Sequence, residues 1–251
     1  DASTEMSFSW QYQRNADGVV QLSTSKSMED PVEFPAKAAG TMGMQYRAKA
    51  TGLEPNTTYY YRVGSKTNQA FSEVGSFTTA PREDAFSLIS LSDADAGDIS
   101  AMTLAQSTLQ AAQLAVPEAA FILHGGDMTG GKRTDWQYFY YLNQDTLMNT
   151  LIAPAAGEYD ADGFTDYFNV GDTGYYSFDY ANVHFAVLNT NEDGNQCISD
   201  TQLAWLRDDV ALARENGAEW IILNTHKGPY TSGSHAQDEE IQGLREVLLP
   251  I

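Results

Sequence analysis

The chain has 251 residues, 42% of them apolar and 19% charged, with a formal net charge of −20. That length holds one large domain or two small ones, and the composition is that of an ordered chain. Such a charge excludes nucleic acid and anionic membrane surfaces as expected partners, and no apolar run approaches the ~18 residues that cross a bilayer.

Residues 1–80 read as all-β. Segments 6–12, 19–24, 44–49, 58–63 and 71–78 alternate apolar and polar side chains, the period of a half-buried strand, and turn residues separate them. A small β-sandwich is expected. Within 52–63, Leu53, Pro55, Thr57 and Tyr59 fall at alternate positions. This resembles the hallmark of fibronectin type III domains, in which the tyrosine pins a loop corner.

A short polar link, 79–84, precedes a change of pattern. Segment 86–91 reads as a buried strand. A helix follows, with Ala105, Leu109, Ala112 and Val116 on one face and Pro117 as its stop. With the strand at 120–124 this forms a βαβ unit, which implies a parallel pair. A second, aromatic-rich helix is expected over 135–148, then a hairpin of 175–180 and 183–188 turning at Ala181 and Asn182. Ser199 or Asp200 can cap a helix whose inner face is Leu203, Leu206, Val210 and Ala213, with its stop at Asn216 and Gly217. A strand at 219–224 and a helix at 238–249 complete the chain. Cys197, the single cysteine, excludes an internal disulfide and a cysteine zinc site.

Four segments carry the chemistry. Ser92-Asp93-Ala94-Asp95, Gly126-Asp127-Met128, Gly157-Glu158-Tyr159-Asp160 and Thr225-His226 each follow or end an apolar, strand-like run. Acidic and imidazole groups delivered from strand ends are how a layered α/β fold builds a metal site. In order and spacing the four resemble the calcineurin-like metallophosphoesterases, in particular the bacterial purple-acid-phosphatase-like branch. That family's motifs run D-x-H, G-D, G-N-H-E/D, a later H and G-H-x-H. The phrases around 175–185 and 202–230 add to the likeness.

The resemblance implies an α/β fold: a fibronectin type III-like β-sandwich at 1–80 and an αββα layered phosphoesterase domain at 85–251. It implies a secreted, extracellular or cell-surface protein of bacterial type, acting on phosphate esters through two cations about 3.5–4 Å apart. Asp127 falls at the bridging carboxylate, Asp93 at the ligand of one ion and His226 at an imidazole ligand of the other. The departures are equally specific. Asp95 stands where the family often has histidine, Glu158 replaces the motif asparagine, and Tyr159 replaces the histidine that donates to the substrate. A phenol, with an ordinary pKa near ~10, is a poor general acid beside imidazole. The chain starts at Asp1-Ala2-Ser3-Thr4, as a mature or trimmed chain would, and reaches Ile251 without a G-H-x-H segment, so a C-terminally truncated domain is expected.

Together Asp93, Asp95, Asp127 and Glu158 would bring four negative charges to one place, neutralising two divalent ions and removing the attraction for a phosphate dianion. Oxygen-rich ligation shifts preference from zinc or iron toward calcium, magnesium or manganese, and one hard cation fits better than a catalytic pair. A metal-free chain is the other expectation. Two readings stand: a metal-dependent phosphoesterase of reduced or lost competence, or an inactive extracellular binding or assembly module, self-associating or holding a protein partner. Ordinary roles compete at each position. Asp93 and Asp127 can be strand-end caps, Asp95 and Glu158 solvated acids, and His226 a hydrogen-bonded structural imidazole. His124 and His184 read as satisfied core histidines.

Overall fold

A computed structural model gives the fold, describing the chain apart from residues 13–15, 41–42, 83–84, 161 and 193–195. Glu83 and Asp84, the end of the expected polar link, therefore lie outside the described residues. The first strands are β1 (Glu5–Gln11), β2 (Gly18–Ser23), β3 (Val32–Pro35), β4 (Lys37–Ala39), β5 (Gln45–Thr51), β6 (Thr58–Ser65), β7 (Ala70–Phe71) and β8 (Gly75–Thr78). They form two antiparallel sheets, β1-β5-β4 and β3-β2-β6-β7, with β8 also paired to β6. Alternation along the strands turns Phe8, Val20, Leu22, Ala48, Ala50 and Phe77 into one core between the sheets. The Tyr59 hydroxyl accepts the Glu54 amide at 2.9 Å and closes the corner ahead of β6.

Two details differ from the sequence reading. The run 71–78 is two strands, because the Ser72 hydroxyl accepts the Val63 amide at 3.1 Å and the chain leaves the ladder until Gly75. The short strands β3 and β4, rich in exposed residues and bounded by Pro35, went unpredicted. Their place at sheet edges accounts for both features.

The remaining elements are β9 (Ile89–Leu91), α1 (Ile99–Ala115), β10 (Phe121–His124), α2 (Asp135–Leu147), β11 (Leu151–Pro154), α3 (Phe164–Tyr167), β12 (Tyr176–Tyr180), β13 (Val183–Val187), α4 (Asp200–Glu215), β14 (Trp220–Asn224) and α5 (Glu239–Leu248). Strands β9, β10 and β11 make a parallel sheet in the order β11-β10-β9. A second sheet runs β12-β13-β14, its first pair antiparallel and its second parallel.

Side-chain period places the layers. Phe121 and Leu123 of β10 meet Tyr180, Val183 and Phe185 of the second sheet, so the two sheets pack face to face. Ile122, pointing the other way, packs with Ile89 against Leu109 of α1. On the opposite outer face Ala186 and Leu188 pack against Leu203 and Leu206 of α4 and Leu244 and Leu248 of α5. The result is an αββα stack. Asp98 caps α1 by accepting the Ser100 and Ala101 amides, and Ser199 caps α4 by accepting the Gln202 amide.

Candidate metal centre

The parallel strands deliver their C-terminal ends to one edge of the stack. Asp93 follows β9, Asp127 follows β10, Glu158 follows β11 and His226 follows β14. Cross-sheet bonds lock this edge: the Asn224 amide group donates to the His124 carbonyl at 3.1 Å, and the His226 ring meets the Gly125 carbonyl at 3.0 Å. Gly126 is needed for that approach. Its φ is +104°, and a Cβ there would sit 2.7 Å from the Gly157 nitrogen and 2.8 Å from His226 Nδ1.

One donor atom each from Asp93, Asp127 and His226 lies within 4.8 Å of the other two. Metal–donor bonds of about 2.0–2.6 Å place donors about 3–5 Å apart, so this trio can hold one cation. Nδ1 of His226 faces a carbonyl, which only an N–H satisfies, so that nitrogen carries the hydrogen and Nε2 is the one turned to the acids. Nε2 lies 3.4 Å from Asp127 Oδ2 and 3.0 Å from Glu158 Oε2. A nitrogen facing two carboxylate oxygens calls for a positive centre between them, a proton or a cation.

Three aspartates at this edge have left-handed backbones: Asp93 (φ 56°), Asp95 (φ 45°) and Asp127 (φ 53°). Their amide neighbours hold them there, since Asp93 N donates to the Gly126 carbonyl at 3.0 Å and Asp95 N to the Asp127 carbonyl at 3.0 Å. Clustered backbone strain of this kind is a feature of functional loops. Burial pushes the Asp127 carboxyl up to about 6, against the bond it accepts from the Tyr159 amide and the nearby His226. Asp127 is 3% exposed, so of the three acids Asp93, Asp127 and Glu158 it has the least solvent to stabilise its charge.

The other expected site residues are less tightly gathered. Glu158 is half exposed and touches the trio through His226 alone among the described residues. Asp95 is exposed and outside the trio, and among the described residues its carboxylate has neither hydrogen bond nor ion pair. Tyr159 is 49% exposed, its ring edge beside Gly131 at the rim of the site.

His124 is buried, accepts the Gly126 amide on Nδ1 at 3.1 Å and is pushed down to about 4 by that burial. His184 is buried between two carboxylates, Asp179 at 2.7 Å and Asp209 at 2.9 Å. His235 is exposed and bonds Asp238 at 2.7 Å.

Two residues at this edge carry contacts that the sequence did not reveal. Asp160 is fully buried and accepts four bonds. Asn191, in the loop after β13, donates to the Ala156 and Gly157 carbonyls at 3.1 and 3.0 Å. Asp160 was visible only as the last residue of the 157–160 segment, and Asn191, more than 30 residues from any of the four segments, carried no sequence signal.

Residues 1–79 match the family described as "Purple acid Phosphatase, N-terminal domain". The chain is 28% identical over 255 residues to purple acid phosphatase 23 of Arabidopsis thaliana, covering 83% of this chain and 54% of that protein. It is 24% identical to purple acid phosphatase 22 of the same plant, with 88% and 54% covered. Among solved structures it resembles purple acid phosphatase PPD1 from yellow lupin (Lupinus luteus) seeds, at a TM-score of 0.74 and 16% identity over 97% of this chain and 54% of that one. A second likeness is to PhoD, at a TM-score of 0.62 and 14% identity over 98% of this chain and 66% of that one. The chain thus spans about half the length of the curated relatives it matches. With a match to the N-terminal domain of purple acid phosphatases over residues 1–79 and an αββα stack behind it, the chain is similar to purple acid phosphatases in sequence and in fold.

Proposed function

We propose that this chain carries a phosphoester-directed site holding one hard divalent cation, with low hydrolytic turnover from the residues present. The observation that carries the reading is the convergence of Asp93, Asp127 and His226 within 4.8 Å, while Asp95 and Glu158 remain outside that group. Calcium, magnesium or manganese suits two carboxylates and one imidazole, with Glu158 close enough through His226 to join. A cation at this point supplies polarisation of a phosphoryl oxygen.

The chain's own residues then set the limits. Tyr159 stands at the rim as a hydrogen-bond donor to a bound phosphate ester and replaces imidazole poorly as a general acid, a change that costs on the order of 10²–10⁴ in rate. Asp95 and Glu158 keep negative charge beside the entrance and oppose a phosphate dianion. The division into a domain at 1–80 and one at 85–251, and an extracellular setting, belong to the same proposal. They are supported by the match over 1–79 and by the net charge of −20. Among the described residues no helix is long and apolar enough to cross a membrane.

A second reading, an inactive binding or assembly module, is favoured by the Glu158–His226 pair, which satisfies the imidazole without substrate. Assay of an activated aryl phosphate with manganese, magnesium, calcium and zinc separates the two. Slow, cation-dependent hydrolysis abolished by Asp127→Asn supports the first. Hydrolysis absent with every metal leaves the second, and turnover within the ordinary enzyme range of about 1–10³ s⁻¹ contradicts both.

A further inference from the structure

Asp160 lies beside the site and is 0% exposed. Its Oδ1 accepts the Thr129 amide at 3.0 Å and the Thr129 hydroxyl at 3.1 Å. Its Oδ2 accepts the Met128 amide at 3.2 Å and the Gly157 amide at 3.2 Å. These donors come from two loops, the one carrying Asp127 and the one carrying Glu158 and Tyr159. The contact is reciprocal, because Asp127 Oδ1 in turn accepts the Tyr159 amide at 3.0 Å. The single Thr129 hydroxyl hydrogen is shared between Asp160 Oδ1 and the Tyr159 carbonyl, the latter at 2.9 Å across the same seam.

Burying an isolated carboxylate carries a desolvation penalty that an apolar contact between the loops would avoid. Three directed amide bonds and the shared Thr129 hydroxyl do what apolar packing cannot: they fix the orientation of both loops. With Oδ1 of Asp127 committed to Tyr159, Oδ2 is left turned toward His226 Nε2. The same seam holds Asp127 in its left-handed backbone.

We infer that Asp160 is the positioning residue of the centre: its buried carboxylate clasps the 127–129 and 157–159 loops together before any cation arrives, and so preorganises Asp127 toward the cation point. The inference rests on the proposed cation site for its purpose, and the clasp itself can be tested without a metal. Asp160 acts through Asp127 and has no contact with substrate or cation in this account.

The test compares wild type, Asp160→Asn and the milder Thr129→Val. Asparagine keeps one acceptor for Thr129 but presents an NH₂ to the Met128 and Gly157 amides. Amide hydrogen exchange of the metal-free proteins should quicken by tenfold or more at 126–130 and 157–160 in Asp160→Asn, less in Thr129→Val, with α4 and the β1–β8 sheets unchanged. Manganese affinity should fall by about 10–100-fold, the usual cost of losing an outer-shell partner. The visible spectrum of the cobalt-saturated protein should also change, which a loss of global stability alone would not produce.

Wild-type exchange at both loops in Asp160→Asn overturns the inference, as does a rise spread evenly over the molecule. If Asp160→Asn does not fold, wild-type exchange and cobalt spectrum in Thr129→Val overturn it instead. Should wild type bind no manganese while exchange still rises only at the two loops, the clasp stands and the cation reading fails.

Discussion

Replacing Gly157 with alanine puts a methyl group where Asp127 already is. A Cβ there would lie 2.6 Å from the Asp127 Cγ and nearer still to its Oδ1 and backbone nitrogen. None of these atoms ends a free side chain, since Asp127 is buried and its Oδ1 is held by Tyr159. The loops must part by roughly 1 Å to restore ordinary contact, about the difference between an overlap and the normal van der Waals separation. The Tyr159–Asp127 and Met128–Asp160 bonds, at 3.0 and 3.2 Å, then pass beyond hydrogen-bonding range.

Bonds to charged acceptors contribute about 1.5–3 kcal/mol each, so Gly157→Ala should destabilise by about 3–6 kcal/mol and lower manganese affinity by at least tenfold. Gly228→Ala is the control, because a Cβ there meets only the Tyr230 carbonyl at 3.7 Å, an ordinary contact. Urea unfolding and manganese calorimetry on both variants provide the measurement. If Gly157→Ala matches Gly228→Ala in midpoint and affinity, the loops are not packed as described and the positioning argument fails with them.

His184 gives a pH-dependent prediction away from the centre. Burial alone would lower its pKa, but the bonds to Asp179 and Asp209 outweigh burial and raise it above 6.5, while the bond to His184 lowers Asp179. The histidine's contribution is therefore complete below its unfolded value near ~6.5 and is lost as pH rises through the folded one; the Asp179 contribution is lost as pH falls through its own lowered value. His184→Phe should destabilise by about 2–4 kcal/mol at pH 5.5 and by less at pH 9, and equal losses at the two values would refute the assignment. Asp95→Asn should leave manganese affinity within about twofold of wild type, whereas Asp93→Asn lowers it by about a hundredfold or more. Equal effects in calorimetry would mean the trio is drawn wrongly.

How far the sequence could be read depended on whether a residue's role was local. The strand expected at 120–124 was legible because Ala120, Phe121, Ile122 and Leu123 form an apolar run after the helix stop at Pro117, and Asp127 because it follows that strand closely. The helix at Ile99–Ala115 was legible from its periodicity and from Pro117. Roles that depend on which distant amides face a carboxylate were not. Asp93, Asp95, Asp98 and Asp160 look alike in the chain, yet the first joins the trio, the second faces solvent, the third caps α1 and the fourth clasps two loops. The edge strands β3 and β4 escaped for a similar reason, since their pairing is set by partners and not by their own pattern.

In the proposed site one cation, and not a pair, is held by Asp93, Asp127 and His226. Manganese titration followed by calorimetry and by the electron paramagnetic resonance of the bound ion tests it directly. One ion per chain is expected, with an uncoupled manganese signal that is lost in Asp127→Asn. Two ions per chain with a spin-coupled signal, or saturable binding that survives Asp127→Asn, would contradict it.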